Sequence, residues 1–250
     1  MFLRVIQGRV PDRTAMRAQH ETWAREIGPS APGWHGAVAG ITEDDRFICL
    51  SWFQTVEAFA RLEARGDQRE WWARAERLFL GPVVATEFPE VSVLLDGLAG
   101  EAGFVQVVQG RASDPARLRT LENDLLRYLP DGRPDILGGL AAVGPDGRFI
   151  QAFSFSSEEL ARAGEHGEQL PEIEEILVDL RELTGEPTYH DLRHPWIAAP
   201  APAGEARRDG ERTGPAASDA AAQPDARRAD AEKVGSRPWS STGTRTTTRH

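Results

Sequence analysis

"VIQGR" at residues 5–9 returns as "VVQGR" at 107–111. Working outward from that echo, a shift of 102 carries Phe2 onto Phe104, Gln7 onto Gln109, Gly8 onto Gly110 and Arg9 onto Arg111. The same shift later lays Arg46-Phe47-Ile48 over Arg148-Phe149-Ile150 with no gap between. After the second helical region the offset becomes 104, placing Gly81 on Gly185 and Glu87 on Asp191. A register held this long marks a duplicated domain. The chain reads as repeats 1–97 and 103–197, a linker at 98–102, and a tail at 198–250.

Each copy reads β-α-β-β-α-β. Residues 2–10 and 104–112 are rich in Val, Ile and Phe, as strands are. Asp12 and Asp114 stand where helix N-caps belong, and Pro115 suits the first helical turn. Met16, Trp23 and Ile27 recur at helical spacing, mirrored by Leu118, Leu125 and Leu129. Gly28-Pro29 ends the first helix and Pro130 the second. Two strands follow in each copy, joined by "TEDDR" and "GPDGR". Thr55 and Ser157 then cap a second helical region, and single strands at 83–95 and 187–192 close the copies.

In "RFICLSWF" (46–53) both alternating faces are largely apolar: Ile48, Leu50 and Trp52 on one, Phe47, Cys49 and Phe53 on the other. Two helices cover only one face of a four-stranded sheet. Each apolar side chain left on the bare face forgoes about 1.5–3 kcal/mol of burial. A net stability of about 5–15 kcal/mol does not survive many such losses. The second copy supplies the cover, so the two sheets are expected to pack face to face, as a dimer fused into one chain. The fold class is α+β.

Composition narrows the rest. The 250 residues carry a net charge of −10 and show no clustered basic face, which argues against nucleic acid as a partner. Arginine outnumbers lysine 28 to 1, Lys233 being the single lysine. No apolar run reaches the roughly 18 residues of a membrane helix, and no charged leader with an apolar core precedes the first strand. Cys49 is the only cysteine, which excludes an internal disulfide and suits a reducing cytoplasm. From residue 198 the chain turns to Ala, Pro, Arg, Ser, Thr and Gly, a composition expected to remain disordered.

Two β-α-β-β-α-β units facing sheet to sheet resemble the dimeric α/β-barrel superfamily, in particular its antibiotic-biosynthesis-monooxygenase-like branch. The doubled V-[IV]-Q-G-R opening and the ending Tyr189-His190-Asp191-Leu192-Arg193-His194-Pro195-Trp196 resemble uncharacterised bacterial tandem-repeat members of that superfamily more closely still. The resemblance spans residues 2–197 and implies an intramolecular barrel, existing as a monomeric pseudo-dimer or a higher homo-oligomer. It is poorly specific for reaction, because the superfamily holds cofactor-free oxygenases, isomerases, haem enzymes and proteins without known activity. Haem-degrading members carry Asn on the first strand and Trp and His on the helical side. Here Gln7 or Gln109 takes the strand position, and "EWWARAERLF" (70–79) has tryptophan but no histidine, so no cofactor is expected.

His20 is the leading candidate residue. It lies on the Met16-Trp23-Ile27 stripe, so it faces the sheet, and its repeat mate Glu122 is ionisable as well. Gln7 and Gln109 offer strand amides at matched positions. His20 above Gln7, ringed by Trp23, Trp52 and Trp71 or Trp72, would make a pocket for a flat aromatic molecule; the alternative is a satisfied polar pair filling the core. In the first case His20 would accept a proton, and Gln7 would orient the substrate, in a cofactor-independent monooxygenase or isomerase. The rival is a non-catalytic structural or regulatory protein of the same fold. Five of the seven tryptophans fall in the first copy, which favours one pocket, there. In Gln7-Gly8-Arg9 the glycine suggests a bulge or a close backbone approach. His190, Asp191 and His194 lie on a non-helical segment that does not bring the histidines together, so no metal is expected.

Overall fold

The computed structural model describes residues 1–95, 97–98, 101–167 and 169–200. From residue 201 onward the tail expected to lack order lies outside the described residues, as do residues 99 and 100 of the linker. The first half runs β1 (Phe2–Arg9), α1 (Arg13–Glu26), β2 (Trp34–Ile41), β3 (Arg46–Phe53), α2 (Val56–Glu63), α3 (Gly66–Glu76), β4 (Val84–Phe88) and β5 (Ser92–Leu95). The second runs β6 (Phe104–Arg111), α4 (Pro115–Gly132), β7 (Ile136–Val143), β8 (Arg148–Phe155), α5 (Glu158–His166), α6 (Pro171–Thr184), β9 (Thr188–Arg193) and β10 (Trp196–Ala198). Strands β1, β2 and β3 map onto β6, β7 and β8 at the same shift of 102.

The helices begin where the caps were expected. Asp12 accepts from the Ala15 amide and Asp114 from those of Ala116 and Arg117, while Thr55 and Ser157 accept from Ala58 and Leu160. Pro130 does not end α4. It sits inside the last turn, and the helix continues to Gly132; near a terminus the missing amide forfeits only one hydrogen bond. The second helical region of the first half is two helices. Between them Arg65 is extended (ψ 143°), and its guanidinium is held by the Ser30 carbonyl at 2.8 Å and by Asp67.

The closing strand expected at 83–95 is also two strands. Pro89 has no amide donor for a ladder and ends β4. The chain then crosses to the other sheet, where β5 pairs with β7, Val93 opposite Leu140. Pro195 separates β9 from β10 in the same way, and β10 returns to pair with β2, Trp196 opposite Ala39. Ala198, assigned above to the tail, belongs to this strand. The result is two antiparallel five-stranded sheets, ordered β10-β2-β3-β1-β4 and β5-β7-β8-β6-β9, each completed by a strand from the opposite half.

The sheets face each other, as the two apolar faces require. Leu3, Val5, Val38, Ile48, Leu50 and Trp52 of the first sheet form one buried cluster with Val105, Val107, Leu140, Ile150 and Leu192 of the second. The outer faces carry the helices. Phe47 packs there with Met16 and Val10, and Phe53 with Trp23 and Phe59; Phe104 and Phe155 pack with Leu129 in the second half. No bulge marks the repeated Gln-Gly-Arg, since β1 pairs with β3 in unbroken register. Its glycines make room for an aromatic ring instead: a Cβ on Gly8 would come within 2.5 Å of Phe79, and one on Gly110 within 2.9 Å of Phe149.

Candidate functional site

Strand parity decides which side chains can meet. On β1, Leu3, Val5 and Gln7 share the face toward the second sheet, whereas Phe2, Arg4 and Ile6 face the helices. On β3, Phe47, Cys49, Ser51 and Phe53 face the helices. Over that outer face lie α1, contributing Met16, His20 and Trp23, and α3, contributing Trp71, Trp72 and Ala75. They enclose a cavity of about 530 Å³ with predominantly apolar walls.

The walls are held by satisfied polar groups. Trp23 Nε1 donates to Gln68 Oε1 at 2.7 Å, and Trp71 Nε1 donates to the Gln19 carbonyl at 2.8 Å. The rings of Trp71 and Trp72 lie 6.1 Å apart, Trp72 and Phe79 6.2 Å, and Phe79 meets Phe47 edge-on at 5.6 Å. At one side Arg4 pairs with Glu87 and lies 5.3 Å above the Phe59 ring. These contacts fix an aromatic frame in which the Trp23 and Trp71 donors are already engaged.

His20 is the exception. It is 8% exposed, and its Nε2 is buried with no hydrogen-bond partner. Burial depresses its pKa to about 4; Glu21 opposes that shift and Arg17 adds to it. The imidazole is therefore neutral near pH 7. Its ring lies 5.7 Å from Trp196, so the strand returning from the second half closes over the histidine. Cys49, on the same cavity wall, has its thiol pushed up to about 12 by burial, which keeps it protonated.

The structure brings His20, Trp23, Trp71 and Trp72 together and places the other expected residues elsewhere. Gln7 lies on the opposite face of the sheet from His20, where its Nε2 donates to Gln109 Oε1 at 3.0 Å. Gln109 in turn bonds His190 Nε2 at 2.7 Å, so it too belongs between the sheets and lines neither cavity. Trp52 is in the inter-sheet core, its ring against Gly36, where a Cβ would collide with it. The reason in each case is the period of two: odd-numbered β1 residues and even-numbered β3 residues point inward. Glu122 occupies the place of His20 under α4. It accepts from Gln151 Nε2 at 2.6 Å, and burial raises its pKa. His190 and Asp191 point to opposite faces of β9, one to Gln109 and the other to Arg162.

Sequence reasoning missed Arg4, Ser51, Phe59, Gln68 and Phe79 in the cavity wall. Arg4 was legible, since it alternates with Phe2 and Ile6; Gln68 and Phe79 needed the break between α2 and α3. The expectation of a pocket in the first copy alone is also corrected. A second cavity, of about 850 Å³, lies under the helices of the second half, where Leu125 stands at the position equivalent to Trp23.

No protein-family model matches the chain, and no curated protein matches its sequence. Solved structures do resemble it. A candidate monooxygenase from Lactobacillus acidophilus superposes with a TM-score of 0.64 at 10% identity, covering 79% of this chain and 95% of that one. A candidate monooxygenase from Fusobacterium nucleatum gives 0.65 at 10% identity, covering 79% and 94%. An anthrone oxidase-like protein gives 0.57 at 11% identity, covering 79% and 93%. Identities this low establish the fold and no more. The chain thus has the fold of these structures, a ferredoxin-like α+β arrangement, over a span that takes in both of its sheets.

Proposed function

We propose that the cavity beneath α1 binds a small planar molecule, largely apolar and bearing a hydroxyl, and that His20 receives the hydroxyl. One observation carries this reading: a neutral imidazole nitrogen without a partner, buried in a cavity framed by Trp23, Trp71 and Trp72. A planar ring suits aromatic walls, which favour offset and edge-on packing. With the His20 proton on Nδ1, Nε2 would be an acceptor, and a ligand hydroxyl donating to it would satisfy a buried atom that has no partner. The likeness in fold to candidate monooxygenases and to an anthrone oxidase-like protein points the same way.

The matching chemistry is cofactor-independent monooxygenation or isomerisation. Both begin when a base takes a proton from an electron-rich ring system in a dry site. Burial by itself disfavours a charged imidazolium at His20. A bound aromatic anion supplies the countercharge that makes His20 a competent base. Gln7, on the far side of the sheet, takes no part. The two repeats act as one barrel-like pseudo-dimer in a reducing cytoplasm, a setting consistent with the lone buried thiol of Cys49.

The test compares 1-naphthol with 1-methylnaphthalene. Naphthol raises the melting temperature more than its isostere, and dioxygen consumption with an anthrone or naphthol substrate reports turnover. Equal shifts for the two compounds would remove the role assigned to His20. Saturable binding without turnover would favour the non-catalytic reading of the same cavity.

A further inference from the structure

The second cavity has different chemistry from the first. Leu118, Phe149, Phe155 and Ile173 give it buried apolar walls between α4, α6 and the outer face of the second sheet. Its polar side is mixed in charge, with Arg133, Arg162 and Arg181 beside Glu165, Glu174 and Asp191. Arg162 is surrounded by three carboxylates: Glu165 at 3.0 Å, Glu158 at 3.4 Å and Asp191. Gln106 Nε2 donates to the same Glu165 at 3.1 Å. Arg133, also on the wall, is engaged by Asp135 through two hydrogen bonds of 2.9 and 2.8 Å.

Two acceptors on this wall remain without a donor. Asp191 binds Arg162 through Oδ2, but its Oδ1 is buried with no hydrogen-bond partner. Gln169 Oε1 is buried and unpartnered as well. An amide flip does not relieve it, because Gln169 Nε2 donates to the Gly164 carbonyl at 2.7 Å. Buried acceptors of this kind are costly unless a donor reaches them. The cavity therefore has an apolar interior, a central Arg162 guanidinium already met by carboxylates, and two buried lone acceptors.

We propose that this second cavity is a binding site for a protonated amine carried on an apolar body. An ammonium group offers donors only, and matches the two buried atoms left open on the wall, Asp191 Oδ1 and Gln169 Oε1, both of them acceptors. A carboxylate ligand would face Glu165 and Asp191, and a hydrocarbon would leave both acceptors unmet. The inference is independent of the reading of the first cavity, where the open atom is an imidazole nitrogen. The two cavities, one under the helices of each half, would thus select different ligands.

The experiment uses the full chain at pH 7 with 4-phenylbutylamine, 4-phenylbutan-1-ol and 4-phenylbutanoate. Methyl-resolved NMR locates the ligand: contacts to Leu118 and Ile173 report the second cavity, and contacts to Met16 the first. The amine is expected to contact Leu118 and Ile173 and to bind at least tenfold tighter than the alcohol, with the carboxylate weaker still. Asp191→Asn lowers amine affinity tenfold or more and leaves naphthol binding at the first cavity unchanged. Should Asp191→Asn fail to fold, Gln169→Met provides the same comparison. The proposal is overturned if the alcohol binds as tightly as the amine, if contacts fall on Met16 alone, or if the variant binds the amine like the wild type. The absence of any saturable perturbation, which would mean that water alone meets the two acceptors, overturns it too.

Discussion

Gln7 and Gln109 are repeat mates, and they hydrogen-bond to each other: Gln7 Nε2 donates to Gln109 Oε1 at 3.0 Å. A residue that contacts its own equivalent lies at the axis relating two copies. The doubled "VIQGR" is therefore the centre of the interface, with Val5 and Val107 in the shared core beside it. The surroundings of that axis are not symmetric. Gln109 continues to His190, whose counterpart at the 104 offset is Thr86. Accepting from Gln109 requires an unprotonated His190 Nε2, and burial together with Arg46 lowers the His190 pKa accordingly.

Replacing members of this chain should give graded losses. Gln7→Leu strands Gln109 Oε1 and is expected to cost about 1–3 kcal/mol. Gln109→Leu strands both Gln7 and His190 and should cost more. Urea denaturation of both single variants and the double variant measures the coupling. Naphthol affinity should not change in any of them, since the glutamines lie across the sheet from the first cavity. A loss of naphthol binding in Gln7→Leu would return that residue to the site.

The chain ends of the two halves should matter unequally along their length. A chain ending at residue 200 is expected to melt within a couple of degrees of the full chain. One ending at residue 195 loses β10, exposes the edge of β2 and removes Trp196 from His20 and Phe47. Loss of a half-buried tryptophan and its strand should cost about 2–4 kcal/mol. For the same reason, residues 1–98 and 103–200 produced together should co-purify, and each alone should aggregate, because each carries the edge strand of the other's sheet. A soluble, cooperatively melting 1–98 fragment would contradict this.

Most of the architecture was legible because its signals are local or repeated. Asp12, Asp114, Thr55 and Ser157 announce helices by capping chemistry, and the double apolar face of residues 46–53 demands a second sheet. Strand exchange was not legible. Pro89 and Pro195 mark where β4 and β9 stop, but nothing in residues 92–95 specifies that they pair with β7 and not with their own sheet. The site was half legible. His20, Trp23, Trp71 and Trp72 follow from helical spacing, whereas Gln7 and Trp52 were assigned by chemical attraction against their strand parity. Parity was the stronger physical constraint, since a strand cannot turn one side chain to the other face without shifting all of them.

The repeat mates His20 and Glu122 should give opposite pH dependences. Unfolded, His20 takes up a proton below about 6.5; folded, it resists until about 4. The unfolded state thus binds more protons across that window, and stability falls as pH drops from about 6.5 to 4, by roughly 3 kcal/mol in all. Glu122 is buried with a raised pKa, so its contribution is lost as pH rises from the ordinary carboxylate range through the raised value. His20→Leu should flatten the acid limb of a stability-against-pH curve, and Glu122→Gln should lift its neutral limb. Unchanged acid limbs in His20→Leu would show that the histidine is solvated.

His20→Leu also separates a ligand site from core filling. A histidine that served only to satisfy a neighbour would leave that neighbour unpaired when replaced, with a loss of about 1–3 kcal/mol. Here Nε2 has no partner, so leucine removes a buried unsatisfied group while keeping bulk against Met16 and Trp23. The variant is therefore expected to be as stable as the wild type at pH 7, or about 1 kcal/mol more stable, as at sites where function has been kept at the expense of stability. Naphthol binding and any turnover should collapse at the same time, by tenfold or more, while 1-methylnaphthalene binding persists because the aromatic walls remain. Trp72→Ala should weaken both compounds and Trp52→Phe neither, since only Trp72 lines the cavity. Melting curves of the four proteins with each compound decide the matter. A destabilised His20→Leu that binds naphthol as the wild type does would make His20 a core residue and remove the first cavity from consideration as a site.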